Sequence, residues 1–253
     1  MPNAEGRGIG EPLSIDPVAP PLPGLPVIRQ SWSDVAFLHW RADPALVAPL
    51  LPPGVRPDEF DGSSWVGLIA FLLSGHRFLP LPPVPVLGTF VEVNVRLYSV
   101  DALGNRAVVF RSLDAGHLLP VLAANASFGL PYRWARTAMR RDGDRREYAV
   151  RRHDARRTRS RFAVRTTGEP DDSALTRFLT ARWGLHEAMW GRTWLARNAH
   201  GPWRAERAVL ERLDDGLVAA AGLPGVADAP PDSVLLAPMT QRVDFSLARA
   251  VPR

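Results

Sequence analysis

Strict alternation of apolar and polar residues over 90–100 is the feature that most constrains the fold of this chain. The apolar set is Val91, Val93, Val95 and Leu97, and the polar set is Glu92, Asn94, Arg96 and Tyr98. Because successive side chains of a strand point to opposite faces, this period predicts a β-strand with one aliphatic face. The polar face is either a solvent-facing stripe or the lining of a barrel interior, where buried charges persist when paired and often mark a binding site.

Further runs with strand character are separated by turn signals along most of the chain, and Gly104-Asn105 is a plausible hairpin turn. A short helix is predicted to begin at Asp43 as N-cap and Pro44 as first residue. A second is predicted over 175–183, capped by Asp171, Asp172 or Ser173. The other predicted strands are 35–40, 65–73, 107–114, 147–153, 161–166 and 241–247, and 205–213 is either a strand or a helix.

Many short strands with few helices predict a mainly β fold of the α+β kind, built as an antiparallel β-barrel or double sheet. The 25 prolines favour this architecture over a helical bundle. Residues 1–27 are rich in Gly and Pro without periodicity, so we expect a flexible arm there. Residues 28–253 are expected to form a single domain, since no polar linker divides them.

Two residue types are absent from the chain, and each absence excludes a kind of chemistry. All 31 basic side chains are Arg, so no lysine can form a Schiff base, and arginine is a poor nucleophile because it stays protonated. The absence of cysteine excludes disulfides, thiolate metal sites and cysteine nucleophiles. His186-Glu187 is an isolated pair rather than a metal motif. We expect no metal and no other cofactor.

The segment 133–165 is strongly basic and could contact phosphates. It lacks the interleaved aromatic residues that stack on bases, so nucleic acid is not the expected partner. A solvated hairpin face or the mouth of an anionic-ligand site is favoured instead. With no apolar signal core and no membrane-length apolar run, we expect a soluble, cytoplasmic protein whose partner is a small molecule. A homo-oligomer is compatible with the sequence.

Ser112, Asp114 and His117 lie close together in sequence, but no G-x-S-x-G elbow accompanies them, so a serine hydrolase is not expected. His117 could serve as a general acid or base, because the pKa of an unperturbed imidazole lies near neutrality. A partly buried structural histidine is the alternative interpretation.

Seven segments of the chain occur in an order that is familiar when they are taken together, and these are 39–54, 61–68, 91–98, 110–114, 128–132, 178–183 and 201–203. Together they resemble the DUF2071 (YqjF-like) family, which is similar to acetoacetate decarboxylase. The resemblance implies a β-barrel-like double sheet around an interior pocket. Acetoacetate decarboxylase uses a lysine of lowered pKa as a nucleophile. By resemblance that lysine would fall near Ala126 and Ser127, and neither residue can form an imine.

The chain departs from the family pattern near its end. The stretch 235–245 lacks the histidine that usually precedes the last conserved strand. An apolar residue in its place implies a more apolar ligand than in relatives.

These observations lead to two main hypotheses about function, and nucleic-acid binding through the segment 133–165 is a third, disfavoured one. The first is a small-molecule enzyme that performs lysine-independent lyase, isomerase or cyclase chemistry on a carbonyl-bearing or polyketide-like metabolite, in secondary metabolism. The second is a non-catalytic binding or sensor protein for an apolar small molecule. The expected catalytic residues are Glu92, Arg96 and His117, and the expected substrate-binding residues are Asn94, Tyr98, Arg111, Asp114, Ser127 and Tyr132.

Overall fold

A computed structural model describes residues 10–83, 88–116 and 129–252 of the chain. The strands are β1 (Ile28–Ala42), β2 (Val55–Pro57), β3 (Ser64–Phe78), β4 (Phe90–Asp101), β5 (Arg106–Ala115), β6 (Tyr132–Asp142), β7 (Arg145–Arg152), β8 (Arg159–Pro170), β9 (Gly184–Met189), β10 (Arg192–Ala199), β11 (Glu206–Asp215), β12 (Ser233–Ala237), β13 (Gln241–Phe245) and β14 (Arg249–Ala250). The helices are α1 (Pro44–Val47), α2 (Ala174–Thr180) and α3 (Leu217–Ala220), with 3-10 turns at Ala48–Leu50 and Val226–Asp228. None of these described helices is long and apolar enough to cross a membrane. The prediction of a mainly β fold is confirmed.

Hydrogen bonds between strands close the sheet into two rings, and β1, β3, β4 and β5 belong to both. The small ring is completed by β9, β10 and β13. The large ring is completed by β6, β7, β8, β11 and β12. Strand β5 pairs in parallel with β6 and with β9, whereas the other pairings in the rings are antiparallel. The sheet is therefore mixed rather than purely antiparallel.

Each face of β4 lies inside a different ring. The aliphatic face packs in one core with Tyr148 of β7 and Phe162 of β8, which belong to the large ring. The polar face lies on the side of the small ring, where Tyr98 packs with Leu185 of β9. Glu92, Asn94 and Arg96 are only 3%, 2% and 7% exposed. The alternative of a solvent-facing stripe is therefore wrong, and the polar residues line an interior.

Most of the predicted elements are observed, and several further strands are present, including the short β2. Asp43 caps α1 by accepting a hydrogen bond from Ala45 N at 2.8 Å, and Ser173 caps α2, which ends three residues before the predicted end. The ambiguous 205–213 stretch is a strand, and a short strand follows the one predicted as last. Strand β6 was not predicted, because arginines interrupt its alternation. The hairpin of β9 and β10 and the short β12 were also not predicted.

The described part of the predicted arm, residues 10–27, contains no helix or strand. It nevertheless contacts the barrel, since Leu13 N donates to Gly104 O at 2.9 Å and Arg106 Nε donates to Leu13 O at 2.7 Å. Trp183 Nε1 also donates to Asp16 O at 2.8 Å. This part of the segment therefore lies along the body instead of extending freely from it. The single-domain interpretation stays a prediction.

Candidate functional site

Glu92 is the acidic group of the small-ring interior. Tyr132 Oη donates a hydrogen bond to Glu92 Oε2 at 2.9 Å, and Asn94 Nδ2 approaches Oε1 at 3.4 Å. Burial raises the pKa of Glu92 to about 7, although both hydrogen bonds act in the opposite direction. A carboxyl group that titrates near neutral pH can both accept and donate a proton, which is the requirement for a general acid or base.

The strand register explains how Asn94 and Tyr132 come to flank this carboxyl. Asn94 pairs with Leu113 of β5, and Leu113 pairs with Tyr132 of β6, so all three side chains share one face. Burial and the neighbouring carboxylate raise the pKa of Tyr132 well above its usual range, and the phenol therefore remains a donor. Within the described part of the chain, the buried Oδ1 of Asn94 has no hydrogen-bond partner. The structure thus brings together three residues that the sequence predicted as a site.

The other end of the polar face is cationic. Arg96 has no carboxylate within 4.0 Å among the described residues, and its Nε donates to Tyr98 Oη at 3.1 Å. Nearby, Asp58 accepts from both Arg182 Nη1 at 2.5 Å and Arg106 Nη1 at 2.8 Å. Two guanidinium groups therefore share one carboxylate, and that of Arg96 adds a further positive charge nearby. The excess positive charge suits an anionic group of a ligand.

Tyr98 and His39 hold Arg96 in place. Tyr98 Oη donates to Leu179 O at 3.1 Å, and Arg96 Nη2 donates to the same carbonyl at 2.9 Å. Since the phenol has only one proton, His39 Nε2, which lies 2.6 Å from Tyr98 Oη, acts as a donor. Burial, together with the charges of Arg96 and Arg182, lowers the pKa of His39 well below its usual range. His39 is therefore neutral, and its Nδ1 is a buried acceptor without a partner in the described chain.

Glycine at position 67 of β3 is required by this arrangement. A Cβ atom at Gly67 would lie 3.1 Å from the His39 ring and 3.3 Å from Arg96 Cγ. Both contacts are tighter than ordinary van der Waals distances. A side chain here would displace the two groups that form the cationic end.

Aromatic side chains form the wall next to the polar residues. Trp32 stacks on Phe71 with centroids 4.3 Å apart and lies 6.0 Å from the Trp203 ring. His200 lies 4.6 Å from the rings of both Trp183 and Trp203. Burial lowers the pKa of His200 to about 4, so this imidazole is neutral. A largely apolar wall with a few polar groups is typical of small-molecule sites.

The acidic and cationic ends are separated along one extended strand. Glu92 and Arg96 are four residues apart, which places their Cα atoms about 13 Å from each other. Asn94 lies between them on the same face. The two charged groups therefore do not neutralise each other by direct contact.

Asp114 does not belong to this cluster, and the prediction that it lines the same pocket is wrong. In the β4–β5 register it lies opposite Val93, on the face that points into the large ring. Its carboxylate forms a two-point ion pair with Arg152, with N–O distances of 2.6 and 2.9 Å. The sequence places Ser112 and Asp114 on one face, but it does not show to which core that face belongs.

The prediction for Arg111 is also wrong, and the cause is a β-bulge. Val95 pairs with Ser112 and Arg96 with Phe110, so Arg111 is the extra residue between them. Its guanidinium donates to Leu50 O at 2.9 Å and to Ala221 O at 3.2 Å, away from Glu92. The alternation of side chains between the two faces, counted along the sequence, predicts the wrong face at a bulge, because the bulge inserts one extra residue. His117 and Ser127, and the neighbouring Ala126, lie outside the described residues.

Sequence reasoning missed several groups at the cationic end. His39 could have been found, because it continues the alternation of Val35 and Phe37 as a polar residue on an apolar face. Arg182 and Asp58 could not have been found, because they come from segments whose approach depends on tertiary packing.

The neighbouring residues His186 and Glu187 have different partners. His186 Nδ1 lies 2.8 Å from Ser99 Oγ, and its ring approaches Asp101 at 3.5 Å. Burial raises the pKa of Glu187 to about 8, opposed by the charge of Arg111. Among the described residues no cluster of His, Asp and Glu could hold a metal ion.

Comparison with known proteins identifies the family and the fold. The model of DUF2071, described as an uncharacterized conserved protein family, matches residues 29–241. The uncharacterized protein YqjF of Bacillus subtilis (strain 168) is 31% identical over 191 residues, which cover 74% of this chain and 78% of YqjF.

Two solved structures are similar over nearly the whole chain. Acetoacetate decarboxylase from Legionella pneumophila subsp. pneumophila str. Philadelphia 1 has a TM-score of 0.65 at 12% identity, covering 100% of this chain and 92% of that protein. The enduracididine biosynthesis enzyme MppR, complexed with the condensation product of pyruvate and imidazole 4-carboxaldehyde, has a TM-score of 0.61 at 16% identity, covering 94% and 98%. The chain thus belongs to the DUF2071 family and has the acetoacetate decarboxylase-like fold that its sequence predicted.

Proposed function

We propose that this protein is a small-molecule enzyme that uses non-covalent acid–base chemistry on a carbonyl-bearing metabolite, with Glu92 as the proton-transferring group. The observation that carries the proposal is the environment of Glu92. Its carboxyl is buried, is held by Tyr132, and has a pKa of about 7 in an interior that also contains Arg96, which has no carboxylate within 4.0 Å among the described residues. Perturbed titratable groups of this kind concentrate at functional sites.

The residues suggest a consistent division of roles. The Glu92 carboxylate takes a proton from the carbon next to the carbonyl, and the C–H electron pair becomes the C=C bond of an enolate. Arg96, at the other end of the polar face, donates charge-assisted hydrogen bonds to a carboxylate of the substrate distant from the reacting carbon. Asn94 orients the substrate, and Tyr132 holds the acid–base group. Return of the proton at another carbon gives an isomerase, whereas loss of a leaving group or ring closure gives a lyase or a cyclase.

One structural neighbour, MppR, favours a 2-oxo acid as the substrate class. MppR was solved with pyruvate and with a condensation product of pyruvate. The present chain contains no lysine, so it cannot follow an imine route through a lysine amine. The proposal therefore keeps the carbonyl substrate and replaces the covalent step by proton transfer. Action in the cytoplasm and in secondary metabolism is part of the same proposal.

Exchange of the pyruvate methyl protons in D₂O, followed by proton NMR, tests this function. We expect the protein to accelerate exchange and Glu92→Gln to reduce the acceleration at least about a hundredfold, the range typical of a lost acid–base group. Glu59→Gln, which alters an exposed carboxylate outside the site, is the matched control and should keep full activity. Full exchange activity in Glu92→Gln would remove the acid–base role of Glu92.

A binding or sensor protein for an apolar molecule is the second candidate, because Trp32, Phe71, Trp203 and Leu235 form an apolar cluster beside the polar residues. Incubation with candidate ligands separates the two functions. A ligand recovered unchanged, with no proton exchange, would favour the sensor. Turnover or exchange that depends on Glu92 would favour the enzyme.

A further inference from the structure

A pocket of about 320 Å³ lies where the ends of β6 and β7 meet the 153–158 loop and Ala220 of α3. Its volume lies within the range of pockets for small organic ligands. None of its lining residues belongs to the Glu92 cluster or to the cationic end of the small ring. The side chains that define its chemistry are Arg133, Trp134, Arg152, His153, Asp154 and Arg156.

The pocket has an excess of positive charge. Arg152 is held by Asp114, and the Asp154 carboxylate accepts from the backbone N and Oγ1 of Thr158, both at 3.2 Å. Arg133 and Arg156 have no carboxylate within 4.0 Å among the described residues. Two guanidinium groups that form no ion pair with the described residues therefore line one concave surface. Such groups match the oxygens of phosphates and carboxylates in a planar, two-point geometry.

A flat apolar surface adjoins these cations. The Trp134 ring stacks on His153 with centroids 4.1 Å apart and an interplanar angle of 28°. Trp134 is 42% exposed, which is unusual for a large aromatic residue in this chain. The stack fixes the indole, so that a ligand can contact it at little cost in side-chain entropy. The pocket therefore offers both charge and apolar contact.

We propose that this pocket binds a small organic oxyanion, with its charged group between Arg133 and Arg156 and its apolar part against Trp134. The site is separate from the small-ring interior, so the proposal does not depend on the function proposed for Glu92. Phosphate esters and polycarboxylates share the required chemistry. A solvent-exposed row of arginines in the segment 133–165 would bind any polyanion. The pocket would instead select ligands that fit its volume.

Calorimetry with phenyl phosphate, citrate and inorganic phosphate at low ionic strength tests the proposal. We expect Arg133→Gln and Arg156→Gln each to weaken binding of phenyl phosphate or citrate about tenfold, as expected for one lost charge-assisted contact. Trp134→Ala should remove the advantage of phenyl phosphate over inorganic phosphate. If phenyl phosphate binds more tightly than citrate, the natural ligand class is a phosphate ester, and if citrate binds more tightly, it is a polycarboxylate.

Two controls separate the pocket from the rest of the molecule. Arg140→Gln removes an exposed arginine of the same strand outside the pocket, and it should leave the affinity unchanged. Glu92→Gln should also retain the affinity. All three substituted arginines are exposed, so the variants are expected to fold, which circular dichroism can verify.

Absence of binding for all three anions, or equal losses in Arg133→Gln and Arg140→Gln, would overturn the proposal. Tight binding of duplex DNA that Arg133→Gln and Arg140→Gln weaken equally would also overturn the proposal.

Discussion

The two rings of this molecule share four strands, yet their interiors differ in kind. In the large ring, Val93 and Val95 of β4 pack with Tyr148 and Phe162 in a mainly apolar core. In the small ring, the alternate residues of the same strand are charged or polar and almost as deeply buried. Apolar burial stabilises a fold, whereas buried polar groups reduce stability unless they are paired. One strand thus supplies stability through one face and chemistry through the other.

The ion pair of Asp114 with Arg152 is a buried polar feature that borders the large-ring core, and breaking it should give the largest loss of stability among the proposed variants. Arg152→Ala leaves the fully buried Asp114 carboxylate without its partner, which is expected to cost about 3 to 5 kcal/mol of unfolding free energy. Urea denaturation measures this cost. Arg151→Ala, at the exposed neighbouring position, is the matched control and should change stability little. Equal losses of unfolding free energy in the two variants would show that the ion pair does not stabilise the fold.

Exchanging polarity between adjacent positions of β4 tests the contrast between the faces directly. Val95→Asn places an unsatisfied amide in the apolar core and should cost about 3 kcal/mol or more. Asn94→Val removes an amide oxygen that has no partner among the described residues, together with only a long hydrogen bond to Glu92, so we expect stability to stay within about 1 kcal/mol of the wild-type value. Urea denaturation gives the unfolding free energies of the two variants for comparison. Similar losses in the two would mean that the faces are not distinct.

The pH dependence of stability should show the cost of burying Glu92. Its pKa is raised from 4.5 to about 7 in the folded state, so folding favours the protonated form. The stabilisation is complete below pH 4.5 and is lost as pH rises through 7, a change of roughly 3 kcal/mol. Glu92→Gln should remove this slope, so it gains stability relative to wild type between pH 5 and pH 8. Parallel pH profiles of the two proteins, measured by denaturation, would contradict the burial of an ionisable Glu92.

Tyr132→Phe should give the smallest change. The phenol donates to Glu92 and stabilises its charged form, so its removal is expected to raise the pKa of Glu92 by about one further unit. The pH profile of proton exchange on pyruvate would then shift to higher pH, with the protein still folded. An unshifted profile would mean that the Tyr132 hydroxyl does not act on the reacting carboxyl.

Local patterns predicted much of the fold, because a period of two and a capping residue are properties of neighbouring residues. They predicted β4 and its two faces, and the cap at Asp43. They did not predict β6, whose arginines obscure its alternation, or the bulge that turns Arg111 away. Closure of two rings on shared strands depends on long-range pairing, which no local pattern encodes.

The candidate site was predictable to the same extent. Glu92, Asn94 and Arg96 follow from one strand, and the structure brings Tyr132 to them across β5. The Asp58–Arg182 pair and the approach of Leu179 O to Tyr98 come from segments far apart in sequence. The contrast between the two rings therefore became visible only in three dimensions.

The most direct test of the account is an NMR titration of the Glu92 carboxyl in protein labelled with ¹³C at glutamate carboxyl carbons, with the resonance assigned by its loss in Glu92→Gln. A buried acid–base group of the small ring predicts a midpoint near pH 7. A midpoint near the ordinary glutamate value of about 4.5 would place Glu92 in contact with water and contradict the interior site.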